Sequence, residues 1–193
     1  MASKKESTFT TMVLTLFLVT FIASAALGYL YEVTKGPIAA SKLAKLNNAI
    51  KEVVPAFDTI PQNNVYKKGV DGDTLVFYPA QKDGELVGTA VSTFTNQGFS
   101  GEIKLMVGFL PDGTIHNISV LEHKETPGLG DKMQKNKSDW SIQFNGKNPD
   151  NFQLKVTKDG GDVDAITAST ISSRAFCEAV QRAYNAYMEG GKQ

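Results

Sequence analysis

Residues 102–121, EIKLMVGFLPDGTIHNISVL, carry the pattern that decides the fold. Ile103, Leu105, Val107 and Phe109 fall on alternate positions, so an extended chain puts all four on one side, as in a half-buried strand. Pro111-Asp112-Gly113 then supplies a fixed φ, a short polar side chain and a residue free to take positive φ, which is the chemistry of a hairpin turn. Residues 114–121 return as the second arm. Upstream, residues 86–94 (LVGTAVSTF) are rich in β-branched side chains, and residues 74–78 are a shorter run of the same kind. Downstream, residues 152–156 predict a further strand. Helical patterns bracket this run. Pro37 suits the first turn of a helix, and Ile38, Leu43, Leu46 and Ile50 follow at helical spacing up to about Val54, before Pro55. At the other end Phe176, Ala179, Val180, Ala183, Tyr184 and Tyr187 form one apolar stripe, closed by Gly190-Gly191. Strands in a run with helices at the two ends predict an α+β domain, an antiparallel sheet with flanking helices.

Composition narrows the function classes. The chain has 193 residues, and its 20 basic and 20 acidic side chains give zero net charge. No basic surplus exists to neutralise a phosphate backbone, so no nucleic acid is expected as a partner. One cysteine, Cys177, excludes an internal disulfide and any Cys-based zinc or iron–sulfur site. Cys177 lies inside the last helical stripe and reads as packing rather than redox chemistry. His116 and His123 sit on or beside a strand without a second ligand at metal spacing. The acidic loop Asp159, Asp162 and Asp164 lacks the alternate ligands and closing Glu of a calcium loop. No metal site is expected.

Residues 7–31, STFTTMVLTLFLVTFIASAALGYLY, contain no charge. As a helix rising ~1.5 Å per residue they exceed the ~30 Å hydrocarbon thickness of a bilayer. Thr10, Thr11, Thr15, Thr20 and Ser24 can return their hydroxyls to the helix's own carbonyls, and Tyr29 and Tyr31 stand where interfacial aromatics belong. A cleaved secretory signal is the rival reading, with Lys4 and Lys5 before the apolar run and Ala23-Ser24-Ala25 as a small-x-small site. The apolar run is longer than such signals use, which favours a retained anchor in membrane lipid. Lys4 and Lys5 precede the span while Lys35, Lys42 and Lys45 follow it, so charge alone leaves orientation open. The expected organisation is a tail over 1–8, a transmembrane helix over 9–31, a connecting helix over 32–58 and a soluble domain over 59–193.

Two segments look chemical. Glu125-Thr126-Pro127-Gly128-Leu129-Gly130 combines a Pro-Gly turn with two closely spaced glycines. A flat ring could lie against the bared backbone, with a Thr126 hydroxyl beside it and Leu129 as apolar cover; a plain tight loop is the alternative. The second segment, residues 164–173 (DAITASTISS), precedes the last helix. Such hydroxyls usually cap a helix, yet five of them at 167, 169, 170, 172 and 173 exceed what one cap needs. The first turn of a helix also favours a phosphate, through free N–H groups and the helix dipole.

Together, the anchor, the strands, the ETPGLG segment and the hydroxyl-rich helix start resemble the FMN-binding G subunit of the Rnf ion-translocating electron-transport complex, over essentially the whole chain. In that family, and in the related C subunit of the sodium-translocating NADH:quinone reductase, FMN is esterified through its phosphate to a threonine. The family motif runs Asp, two variable residues, Ser or Thr, Gly, Ala, Thr. It falls here on Asp164, Thr167, Ala168, Ser169 and Thr170, with Ala-Ser replacing the usual Gly-Ala. The resemblance therefore implies FMN held covalently on Thr170, with Thr167, Ala168 and Ser169 around it and Ser169 as a competing acceptor. Glu125, Thr126, Leu129 and Gly130 become the expected contacts of the isoalloxazine, with Lys158 as a further contact for a phosphate or ring oxygen. Asp164 would be read by a flavin transferase that uses FAD. Thr170 is then modified once and no residue is expected to be catalytic in turnover.

The same resemblance implies a flavoprotein relaying electrons inside a larger membrane complex, with the other subunits as partners and ferredoxin and NAD as the outer couple. It places the N-terminus in the cytoplasm and the FMN-binding domain outside it, on the inner membrane. The C subunit of the quinone reductase remains an alternative, as does an exported interaction module whose hydroxyls only cap a helix.

Overall fold

A computed structural model describes residues 8–58, 65–70 and 72–190. The N-terminal residues 1–7, most of the expected tail, lie outside the described residues, as does Gly191. The chain divides into two compact units, residues 1–44 and 45–193. In the first unit the apolar run is helical, as expected, within α1 (Phe9–Val53). The hydroxyl of Thr15 donates to the Thr11 carbonyl and that of Thr20 to the Leu16 carbonyl, both at 2.9 Å, so these polar side chains are satisfied inside the helix. The helix expected to open at Pro37 is instead a continuation: α1 runs through Pro37 and stops at Val53. A proline removes one N–H donor and crowds the preceding turn, but long helices tolerate that loss by bending.

The second unit is built on an antiparallel meander, β1 (Tyr66–Val70), β2 (Asp73–Lys82), β3 (Glu85–Gly98), β4 (Gly101–Phe109) and β5 (Ile115–Glu122), in that spatial order. The PDG turn joins β4 to β5, with Gly113 at φ +90° and the Leu110 N–H donating to the Thr114 carbonyl at 2.8 Å. As the alternation predicts, Ile103, Leu105, Val107 and Phe109 are all buried on one face. That face packs on α2 (Thr170–Gly190), whose stripe Phe176, Ala179, Val180, Ala183, Tyr184 and Tyr187 is buried throughout. The other face is buried as well. Tyr78, Ala80, Ala90 and Met106 pack there against Ala49, Ile50 and Val53, from the end of α1 that belongs to this unit. The contact needs Gly108: a Cβ at that position would stand 1.7 Å from the Val53 carbonyl oxygen.

One expected strand is absent. Residues 152–156 form turns, with Val156 making only a single bridge to Val163 before a 3-10 turn at Thr157–Asp159. Leu154 and Val156 are buried because this loop folds over the end of the α2 core, so apolar alternation here records loop anchoring rather than sheet pairing.

Candidate flavin site

The site forms where three segments meet: the β3–β4 turn, the ETPGLG loop and the start of α2. Pro127-Gly128 makes the expected type II turn, with Gly128 at φ +78° and the Leu129 N–H donating to the Thr126 carbonyl at 3.2 Å. A pocket of about 340 Å³ opens beside it. Glu125, Thr126, Leu129, Gly130, Ala168, Ser169 and Thr170, separated by some forty residues in the chain, all line it. Thr167 and Asp164 are exposed and lie outside the lining. Lys158 sits in the exposed 3-10 turn Thr157–Asp159, outside the pocket lining.

At the start of α2 the hydroxyls divide into two kinds. Ser173 Oγ is fully buried, accepts the Ile166 N–H at 2.9 Å and donates to the Ser169 carbonyl at 3.0 Å, pinning the preceding turn to the helix. Ser172 Oγ, also buried, donates to Glu125 Oε2 at 2.5 Å. These two are structural. Thr170, the first residue of α2, is half-buried on the pocket wall, whereas Ser169 is only 8% exposed. The first α-helical bond runs from the Ser173 N–H to the Ser169 carbonyl, so the preceding N–H groups of this turn have no carbonyl one turn back to bond. Ala168 takes the left-handed conformation, φ +62°, at the position where the motif usually has glycine.

Glu125 does not present its carboxylate to the pocket as a loose arm. It is buried, with Oε1 accepting the Ser100 N–H at 2.9 Å and Oε2 the Ser172 hydroxyl. Gly130 is needed for this packing: a Cβ there would lie 2.7 Å from both Glu125 Oε2 and Ser172 Oγ. The second glycine of the loop thus makes room for the carboxylate, rather than baring backbone. The Glu125 N–H donates to His123 Nδ1 at 3.1 Å, which makes that ring nitrogen an acceptor, while Nε2 lies against the side-chain amide of Gln134. Burial pushes the His123 pKa down from its usual 6.5, against the smaller opposing pull of Asp131 and Glu125.

Three lining residues were not read from the sequence: Phe99, Ile171 and Ser172 as a partner of Glu125. Phe99 (68% exposed), Ile171 (48%) and Leu129 (39%) are three of the four exposed large apolar side chains among the described residues of this unit, and all three rim the pocket. An aromatic set in a tight Gly-x-x-Gly turn, Gly98 to Gly101, was the available signal for Phe99. Cys177 is a buried residue of α2 and its thiol is pushed up to about 12 by desolvation, in keeping with a packing role.

A cleft with an apolar rim, a helix N-terminus and an accessible hydroxyl suits a nucleotide with a flat ring and a phosphate. The FMN-binding domain family matches residues 98–185, which contain every residue of the pocket, so this part of the chain carries an FMN-binding domain. Over longer spans the chain is 36% identical to the G subunit of the ion-translocating oxidoreductase complex from Shewanella amazonensis, covering 83% of this chain and 80% of that one. The corresponding protein of Aliivibrio fischeri is 35% identical, covering 89% and 86%. That of Vibrio cholerae serotype O1 is 44% identical over 115 residues, about half of each chain. The chain belongs to this family, the G subunits of ion-translocating oxidoreductase complexes.

Proposed function

We propose that this chain is the membrane-anchored flavoprotein of an Rnf-type complex, holding FMN as a phosphoester on Thr170 and relaying electrons between neighbouring redox subunits. The observation that carries this reading is the position of Thr170: a half-buried hydroxyl at the first residue of α2, on the wall of the same pocket as the ETPGLG loop. Ser169, the competing acceptor, is withdrawn from solvent, so access favours Thr170.

In the loading step the Thr170 oxygen attacks the FMN-side phosphorus of FAD on a transferase, its proton is lost, and AMP leaves. The exposed Asp164 is available for the transferase to read, its backbone fixed by Gln143 and Trp140. Free N–H groups of the first turn of α2 and its dipole would stabilise the ester phosphate. Phe99, Leu129 and Ile171, the exposed apolar side chains at the pocket rim, would hold the ring. When bound, the flavin supplies the electron chemistry, while the protein supplies position and electrostatics. A covalent bond suits a compartment without free FMN, because noncovalent occupancy depends on ligand concentration relative to Kd. Residues 9–31 would cross the bilayer once, N-terminus cytoplasmic, with the flavin domain outside; ferredoxin and NAD would be the complex's outer couple.

The test is co-expression of the full chain with a flavin transferase, then denaturing electrophoresis. A fluorescent band and an intact-mass increment of FMN less one water are expected, and both should vanish in Thr170→Ala. A colourless wild-type band under these conditions contradicts the proposal.

A further inference from the structure

Glu125 is a charged side chain only 5% exposed, yet the family reading gives it no task beyond contact. The fold makes unusual room for it. A Cβ on Gly98 would come within 2.8 Å of Glu125 Oε1, and one on Gly130 within 2.7 Å of Oε2, so both oxygens fit only because the two neighbours are glycines. Both oxygens accept hydrogen bonds, from the Ser100 N–H at 2.9 Å and the Ser172 hydroxyl at 2.5 Å, the pattern of a carboxylate held in place. No salt bridge to it is present among the described residues, so its partners are dipoles rather than a counter-ion. Buried charges are ordinarily paired. Here Glu125 instead lines the pocket proposed for the ring, with its carboxylate held just behind the wall by Ser100 and Ser172.

We infer that Glu125 sets the flavin's reduction potential, its fixed negative charge behind the pocket wall opposing the negative charge that the ring gains on reduction. The inference rests on FMN occupying this pocket from Thr170. Two-electron reduction of a flavin with uptake of one proton leaves an anionic ring at neutral pH. A carboxylate beside it raises the energy of that product more than of the neutral oxidised ring, which lowers the potential. Low local dielectric lengthens the reach of this effect, and the Ser100 and Ser172 donors damp it without cancelling the charge. Ser172, as the link to the helix that bears Thr170, is a positioning residue for the same carboxylate.

The experiment uses the full chain in detergent, co-expressed with a flavin transferase, wild type beside Glu125→Gln. Glutamine keeps the shape and both contacts, accepting from Ser100 and donating to Ser172, and removes only the charge. Flavin content is read by intact mass, and the midpoint potential is measured by dye-equilibrated reduction on the loaded fraction. A rise of at least tenfold in the reduction equilibrium constant, ~30 mV for a two-electron couple, is expected for the glutamine variant. Equal potentials in two loaded proteins would overturn the role of Glu125 while leaving the Thr170 linkage intact. A wild-type chain with no retained flavin would overturn both. Should the variant not fold or load, sulfite binding to the loaded wild type decides. Sulfite adds at the flavin N5 and places extra negative charge on the ring, so wild type should bind it more weakly than free FMN does, and equal or tighter binding contradicts the inference.

Discussion

Ala168 occupies a left-handed backbone conformation, φ +62°, that costs an alanine about 1 kcal/mol more than glycine. The motif's usual glycine falls on this residue, which gives that preference a physical cause: the chain must turn sharply to bring the next two residues onto the helix start. Ala168→Gly should therefore raise Tm, by about 2–4 °C if the gain is ~1 kcal/mol. Calorimetry of the full chain checks it, and an unchanged or lower Tm counts against the strain. His123 gives a pH dependence. Its folded-state pKa lies below the unfolded 6.5 because burial disfavours the cation. The contribution is complete above pH 6.5, and stability falls as pH drops below it, where the unfolded chain takes up a proton that the folded one resists. Protonating Nδ1 would also break its bond to the Glu125 N–H. Thermal unfolding between about pH 8 and 5 should show this decline, and His123→Asn, whose carbonyl can still accept that N–H, should flatten it. Cys177, with a thiol near 12 and no exposure to speak of, should resist iodoacetamide until the protein unfolds.

Among the elements, the two strongest periodicities were legible in the sequence and the covered far face of the sheet was not. Alternation along β4 named the face that meets α2, and the i, i+3, i+4 stripe named the face of α2 that meets the sheet. A half-buried strand was expected, yet Met106 and Gly108 on the opposite side are buried too. Nothing local announces that the last turns of α1 return to cover that face, since the contact lies some fifty residues away in the chain. Residues 152–156 mislead for a related reason: buried alternate residues mark any segment lying on a core. Within the site, the Pro-Gly turn and the hydroxyl cluster were visible, because turn and cap chemistry is local. Which hydroxyls are spent on the fold was not, since Ser172 finds Glu125 across 47 positions. The α1–sheet contact is testable. Gly108→Ala places a methyl 1.7 Å from the Val53 carbonyl oxygen, and should cost about 3 kcal/mol or more in denaturant unfolding. A loss below about 1 kcal/mol would mean that the helix end shifts freely on the sheet.

At the scale of the whole molecule, the chain joins one apolar helix to one flavin-binding unit. The helix carries an 18-residue window of mean hydropathy 2.2 whose side chains are wholly unburied by the protein itself, as a lipid-facing span would be. The full chain should remain with membranes through an alkaline carbonate wash, whereas a cleaved leader would release the domain into the soluble fraction. The identity of the cofactor's attachment atom is what the rest of the account depends on, and trypsin isolates it conveniently. Cleavage after Lys158 and Arg174 yields one peptide, residues 159–174, that contains all five candidate hydroxyls. Fragmentation of this peptide from flavin-loaded protein should place the mass of FMN less one water on Thr170 alone. The same increment on Ser169, or a peptide of unmodified mass from a chain that lost its flavin on denaturation, would contradict the account.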